Sequence, residues 1–154
     1  MKGNLSAIRV VGLVLALGLC LIESGVAGAG DRKVLRPRVP PDQIEGARTL
    51  KNPLTPTSEM IEQGRALYHG KAFCATCHGR DGKGLGPDVA PKLVRGALPR
   101  NFTDRDWQAA RTDGELMWIL KNGSPGTAMA VFVGPIVTEE EAWQLILYVR
   151  ILGK

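Results

Sequence analysis

Residues 73–84 read FCATCHGRDGKG. The whole chain of 154 residues holds three cysteines and two histidines. Two of those cysteines, Cys74 and Cys77, and one histidine, His78, nevertheless fall within five consecutive positions. Upstream, Met60, Ile61, Gly64, Leu67 and Tyr68 recur at helical spacing. Thr57 or Ser58 stands as cap, with Glu59 and Glu62 near the positive end, so the pattern predicts a helix over 58–69. Gly64 in its middle costs about 1 kcal/mol relative to alanine, which predicts that another helix crosses closely there. Downstream, Gly79, Gly82, Gly84, Gly86, Pro87, Pro91, Gly96 and Pro99 exclude a long helix up to Phe102. A segment of that kind cannot bury itself and needs something to wrap.

Cys-x-x-Cys-His reads as a c-type haem attachment site. Two thiols at this spacing reach two vinyl groups of one porphyrin and form thioethers, and the imidazole that follows at once rises under the iron. Two rivals use the same side chains. A thioredoxin-like redox pair wants a strand before the motif and a helix from it, whereas here a helix precedes and glycines follow. A zinc site built from Cys74, Cys77, His78 and His69 lacks the second, separated ligand cluster usual in structural zinc sites.

Haem iron held by His78 either takes a sixth ligand or stays open. Met60 and Met117 fit apolar helix faces and read as core. Met129 lies in NGSPGTAMAVF, a loop between two helices and 51 residues after His78, from which a thioether can swing over a haem face. His69 is the alternative ligand, but its nearness to Cys74 makes the far face hard to reach. The carbonyl of Pro87, nine residues after His78, is a candidate acceptor for the histidine Nδ1–H. Trp107, Trp118, Trp143, Arg100 and Asn101 are candidates for the haem propionates, each set against a plainer role in core or on surface.

Three further helices are expected. A short one runs over 104–110, opened by Thr103. A second starts at TDGE, where Thr112 and Glu115 form a capping box, and stops at Asn122-Gly123. The last starts at TEEE, with a second box from Thr138 and Glu141, and runs to Gly153 with Trp143, Ile146, Leu147 and Tyr148 on a broad buried face. The fold class is therefore all-α, three to four short helices and long loops. Aromatic residues make up only 5% of the chain, so a purely polypeptide core would be modest, and small domains of that kind often recruit a metal or cofactor to complete the interior.

The N-terminus reads as a secretory signal peptide over 1–29: Lys2 and Arg9, an apolar run at 10–22, then Ala27-Gly28-Ala29 as a cleavage pattern. The run is shorter than the roughly 20 residues a spanning helix needs, so no stable membrane span is expected after cleavage. Leu19 before Cys20 argues against a lipid anchor there. Residues 30–56 hold five prolines and little periodicity and read as a basic, extended arm ahead of a domain at 57–154. The formal charge is +5. Residues 70–100 carry six basic residues (Lys71, Arg80, Lys83, Lys92, Arg95 and Arg100) against Asp81 and Asp88. An exported chain makes nucleic acid an unfitting partner, and an acidic docking surface on a redox protein fits better.

GRALYHGKAFCATCHGRDGKG, Gly86-Pro87, NGSPGTAM and the final helix with Trp143 and Tyr148 resemble a bacterial class I c-type cytochrome over 58–152. The resemblance implies one covalent haem c wrapped by the helices and loops, His78/Met129 ligation, and a helix crossing at which Gly64 meets Tyr148. It departs from that family at Ala130, where proline usually follows the ligand methionine. The function it implies is a periplasmic one-electron carrier rather than an enzyme. Its docking to donor and acceptor proteins would be salt-sensitive, through Lys71, Arg80, Lys83 and Lys92. Two alternatives remain at this level: a fixed subunit of a larger oxidoreductase, and a five-coordinate haem sensor or peroxidase.

Overall fold

The computed structural model describes residues 35–85 and 90–154. The signal segment at 1–29 and Pro87 lie outside the described residues. Among the described residues the chain is helical: α1 (Ile44–Thr49), α2 (Ser58–His69), α3 (Cys74–His78), α4 (Arg105–Ala110), α5 (Asp113–Asn122) and α6 (Glu139–Leu152), with a 3-10 turn at Pro91–Leu93. Extended pairing among them is limited to one isolated bridge, Val133 with Val137. No helix among the described residues is long and apolar enough to cross a membrane.

The all-α class holds, with six helices among the described residues where three to four were expected. The helix starts follow local chemistry. The Thr57 hydroxyl accepts from the Met60 amide, and complete capping boxes open α5 at Thr112/Glu115 and α6 at Thr138/Glu141. Helix α4 departs from expectation by one residue. Asp104 is its cap, accepting from the Trp107 amide at 3.1 Å, because the Thr103 hydroxyl is engaged with the Asn101 side chain at 2.7 Å.

The most extensive helix packing joins α2 to α6. The two cross so closely at Gly64 that a Cβ placed there would sit 2.0 Å from the Gln144 carbonyl oxygen and 3.1 Å from Tyr148 Cβ. Next to the crossing, Tyr68 and Tyr148 meet edge to face at 5.2 Å. Tyr68, Met117, Trp143, Leu145 and Ile146 join the same buried cluster. Gly64→Val should force the two backbones apart, at an overpacking cost of about 3 kcal/mol. Chemical denaturation of the intact protein reads that cost, and an unchanged midpoint would mean that the crossing tolerates a side chain.

The arm is not extended throughout. Residues 44–49 form α1, which has no side-chain cap. A helix of six residues is marginal alone, and tertiary contact sustains this one. Ala47 is buried against α5, where a Cβ on Gly114 would come within 1.8 Å of the Ala47 carbonyl oxygen. The described part of the arm is tied down at several points: Gln43 accepts from Trp118 Nε1 at 2.8 Å, Asn52 donates to the Trp143 carbonyl at 3.1 Å, and Val39 is buried.

Candidate haem-binding site

Helix α3 is a single turn that begins abruptly. Phe73 before it takes left-handed backbone angles (φ 52°), which reverses the chain between α2 and the motif. Three residues apart on this turn, Cys74 and Cys77 come to one side of it. Both thiols are unpaired. Beyond His78 the glycine segment folds back on itself: the Gly84 amide donates to the His78 carbonyl at 2.9 Å and the Phe102 amide to that of Gly82 at 2.6 Å. That return carries Arg100 and Phe102 alongside the histidine.

His78 is held on two sides. Its ring stacks on Phe102 at 4.2 Å and 16°, and its Nδ1 lies 3.0 Å from the Arg100 carbonyl oxygen. A carbonyl only accepts, so Nδ1 carries the proton and Nε2 keeps its lone pair. Burial lowers the pKa of this histidine, with the Arg100 carbonyl acting in the opposite sense, so the neutral, ligating form is favoured. Pro87 was the sequence candidate for this acceptor. It lies outside the described residues, and the carbonyl that faces Nδ1 is that of Arg100.

Cys74, Cys77 and His78 line a cavity of about 330 Å³, and so does Met129 from the distant loop between α5 and α6. Much of the remaining wall is apolar, with Leu116, Ile119 and Leu120 from α5 and Leu145, Ile146 and Val149 from α6. The volume falls within the range of cofactor sites. Phe73 and Leu98, which also line it, are among the exposed large apolar residues, so the cavity opens to solvent beside the cysteines.

The competing readings of the motif fare worse. Burial pushes the Cys74 thiol up to about 12, whereas a redox-active pair works through a lowered pKa. No group of three or more His, Cys, Asp or Glu side chains that could hold a metal ion occurs among the described residues, which leaves the four-ligand zinc arrangement without its geometry. His69 turns away, with Nε2 3.2 Å from the Tyr148 hydroxyl, and is not part of the cavity wall.

Of the five propionate candidates, Arg100 and Trp107 line the cavity. Trp118 bonds Gln43, Trp143 is in the core, and Asn101 accepts from the Thr103 amide. Sequence reasoning missed Phe102, Arg38, Arg111 and Glu115, all in the wall. Phe102 alone left a signal, as the one aromatic residue in the stretch 79–102. The basic ring is also weaker than its residue count suggests. Lys71 pairs with Glu141 at 2.8 Å and Lys83 with Asp81 at 3.1 Å.

The family model for cytochrome c matches residues 61–153. A chain of the reducing HAO-like protein complex Kustc0457/Kustc0458 of Kuenenia stuttgartiensis is similar at 28% identity with a TM-score of 0.58, over 66% of this chain and 47% of that one. This chain thus spans about half the length of that relative. A second solved structure, the KustC0563 c-type cytochrome, is 35% identical with a TM-score of 0.48, over 59% of this chain and 98% of that one. The comparison with curated proteins finds no match. The apolar cavity, the two thiols on one turn and the oriented imidazole fit the covalently bound haem c that the family carries. With its match spanning well over half of the residues, the chain belongs to the cytochrome c family.

Proposed function

We propose that the protein is an exported, periplasmic one-electron carrier whose haem iron is held by His78 and Met129. Haem c supplies a one-electron ferric/ferrous couple when bound. The chain's part is to tether, orient and enclose. The sulfurs of Cys74 and Cys77 anchor the group, His78 Nε2 is aimed by the Arg100 carbonyl and Phe102, and the apolar wall excludes water. With His78 and Met129 both holding the iron, little would rearrange between oxidation states, and the opening at Phe73 and Leu98 would give partners access to the group. The observation that carries this reading is the convergence of His78 and Met129, 51 residues apart, on one cavity.

A fixed place in a larger oxidoreductase is the second reading, favoured by the likeness to a chain of the HAO-like complex. A five-coordinate sensor or peroxidase has less support, because among the described residues no histidine besides His78 lines the cavity and open-site chemistry depends on distal polar groups.

One experiment serves these readings. The protein is purified from its native extract, its optical spectra are taken in both oxidation states, and its size is measured. A c-type spectrum with the weak sulfur-to-ferric-iron band at monomer size is expected. Absence of that band would overturn methionine ligation, and co-elution with a larger assembly would replace the free carrier by the subunit.

A further inference from the structure

The matched family region begins at residue 61, yet the arm ahead of it touches the loop that carries Met129. That loop closes on one residue. The Ser124 amide donates to the Met129 carbonyl at 2.9 Å, and the Ser124 carbonyl accepts from the Thr127 amide at 3.1 Å and from the Thr127 hydroxyl at 2.8 Å. The same hydroxyl accepts from the Met129 amide. Ser124 is itself buried. Its remaining polar group, the hydroxyl, accepts from Arg38 Nη1 of the arm at 3.4 Å. The bond is long, but its donor is charged, which raises what it is worth.

Arg38 reaches the loop from a fixed mount. Upstream of it, the Leu35 carbonyl accepts from Arg111. Next to it, Val39 is buried and lines the same cavity as Met129. Downstream, the Gln43 amide donates to the Pro40 carbonyl at 3.0 Å, and α1 rests on α5. A donor whose backbone is already ordered gives up little further entropy when it bonds. Gly126, midway along the loop, meets a second segment: no Cβ fits at Gly96 against the Gly126 carbonyl oxygen. Two separate stretches of chain therefore hold the loop from outside.

We propose that the arm is a strap on the ligand loop, with Arg38 a positioning residue that acts through Ser124 to hold the Met129 thioether in the cavity. This rests on Met129 being the iron ligand and gives the arm, most of which lies ahead of the family match, a role in ligation. A loop opens locally at a free energy set by the few bonds that close it. Loss of one bond from a cation should raise the open population about tenfold, and an outside base should displace the sulfur faster by the same factor.

The test uses the full-length, haem-loaded ferric protein and imidazole as the probe. The rate at which the sulfur-to-ferric-iron band disappears at saturating imidazole reads how often the loop releases the sulfur. Arg38→Met and Ser124→Ala are each expected to raise that rate about tenfold. Arg38→Lys, which keeps a charged donor, should recover most of the parent rate, and Arg36→Met, an equal charge change on the exposed part of the arm, should match the parent. Arg38→Met added to Ser124→Ala should bring no further gain, because both changes remove the same bond. Ser124→Ala keeps the backbone bonds of the loop and carries the test if Arg38→Met does not accumulate. The proposal is overturned if the single variants exchange at the parent rate, or if Arg36→Met speeds exchange as much as they do. It is equally overturned if Arg38→Met accelerates the Ser124→Ala protein again, since its effect would then bypass Ser124. A lower thermal midpoint with an unchanged rate also overturns it, because Arg38 would then stabilise the fold without positioning the ligand. A parent protein that lacks the band overturns methionine ligation itself and the strap with it, whereas each of the other outcomes leaves methionine ligation standing.

Discussion

Replacing Cys74 and Cys77 together by serine is expected to leave a chain that no longer unfolds cooperatively. The reason is that the cavity wall and the core are largely the same residues. Tyr68, Leu145, Ile146 and Glu115 are among the largest fully buried side chains, and all four line the cavity. Without thioethers the haem has no covalent tether, and an apo chain left with the cavity empty bears its full cost. An apolar cavity of about 330 Å³, at about 24 cal/mol per Å³, costs about 8 kcal/mol. Domains of this size are stable by only about 5–15 kcal/mol. That cost is an upper figure where the walls can collapse inward, but the wall here is drawn from the arm, α2, α5, α6 and two loops, which cannot all close on one point. The double-serine variant should therefore lose its near-ultraviolet circular dichroism and its sharp thermal transition while keeping part of its helical signal. Each single serine variant keeps one thioether and should fall between. A double variant that melts as sharply as the parent, with the same helix content, would show that the polypeptide builds this fold unaided.

The parts of this architecture that were legible in the sequence are those set by chemistry within a few residues. Thr57, Thr112 and Thr138 announce α2, α5 and α6 because a cap satisfies amides two or three positions on. Gly64 announces a close crossing because only contact with another backbone explains a glycine amid good helix formers. Helix α1 was not legible. It has neither cap nor amphipathic length, and its existence depends on Ala47 meeting the notch at Gly114, which lies 67 residues away. The site divides in the same way. Cys74, Cys77 and His78 form one local pattern, and Met129 stands out as a methionine in a loop. The acceptor for His78 is a main-chain carbonyl, a group that every residue possesses, so its identity as that of Arg100 emerges only when the glycine segment folds back. Arg38 and Arg111 carry no local signal, and Glu115 reads only as the capping-box partner of Thr112, until the arm lies across α5. In the basic ring, Asp81 is legible beside Lys83 two residues on, whereas Glu141, 70 residues from Lys71, reaches it only in three dimensions.

Met129→Ala is expected to change the spectrum and the potential while leaving the fold intact. The loop around Met129 is held by its backbone and by Thr127 rather than by the methionine side chain. The Ser124 amide donates to the Met129 carbonyl at 2.9 Å, and the Thr127 amide to that of Ser124 at 3.1 Å. The Thr127 hydroxyl accepts from the Met129 amide at 3.1 Å. Alanine keeps each of these bonds, so the loop should stay in place with the thioether gone. Methionine opposite histidine raises a haem potential. Its loss should lower the potential by a few tenths of a volt, a sizeable part of the roughly 0.8 V range set by axial ligands. The sulfur-to-ferric-iron band should vanish, and added imidazole should bind at the position released. Met117→Leu is the matching control, a volume-conserving change in the buried core that should cost under about 1.5 kcal/mol and leave band and potential unmoved. If the band survives Met129→Ala, the sulfur must come from Met117 or Met60. Met117 is fully buried in the core cluster, the Met60 sulfur lies 3.8 Å from the Gln144 amide nitrogen, and neither residue lines the cavity. A surviving band would therefore require a haem placed differently from the cavity described, and with it a different set of wall residues.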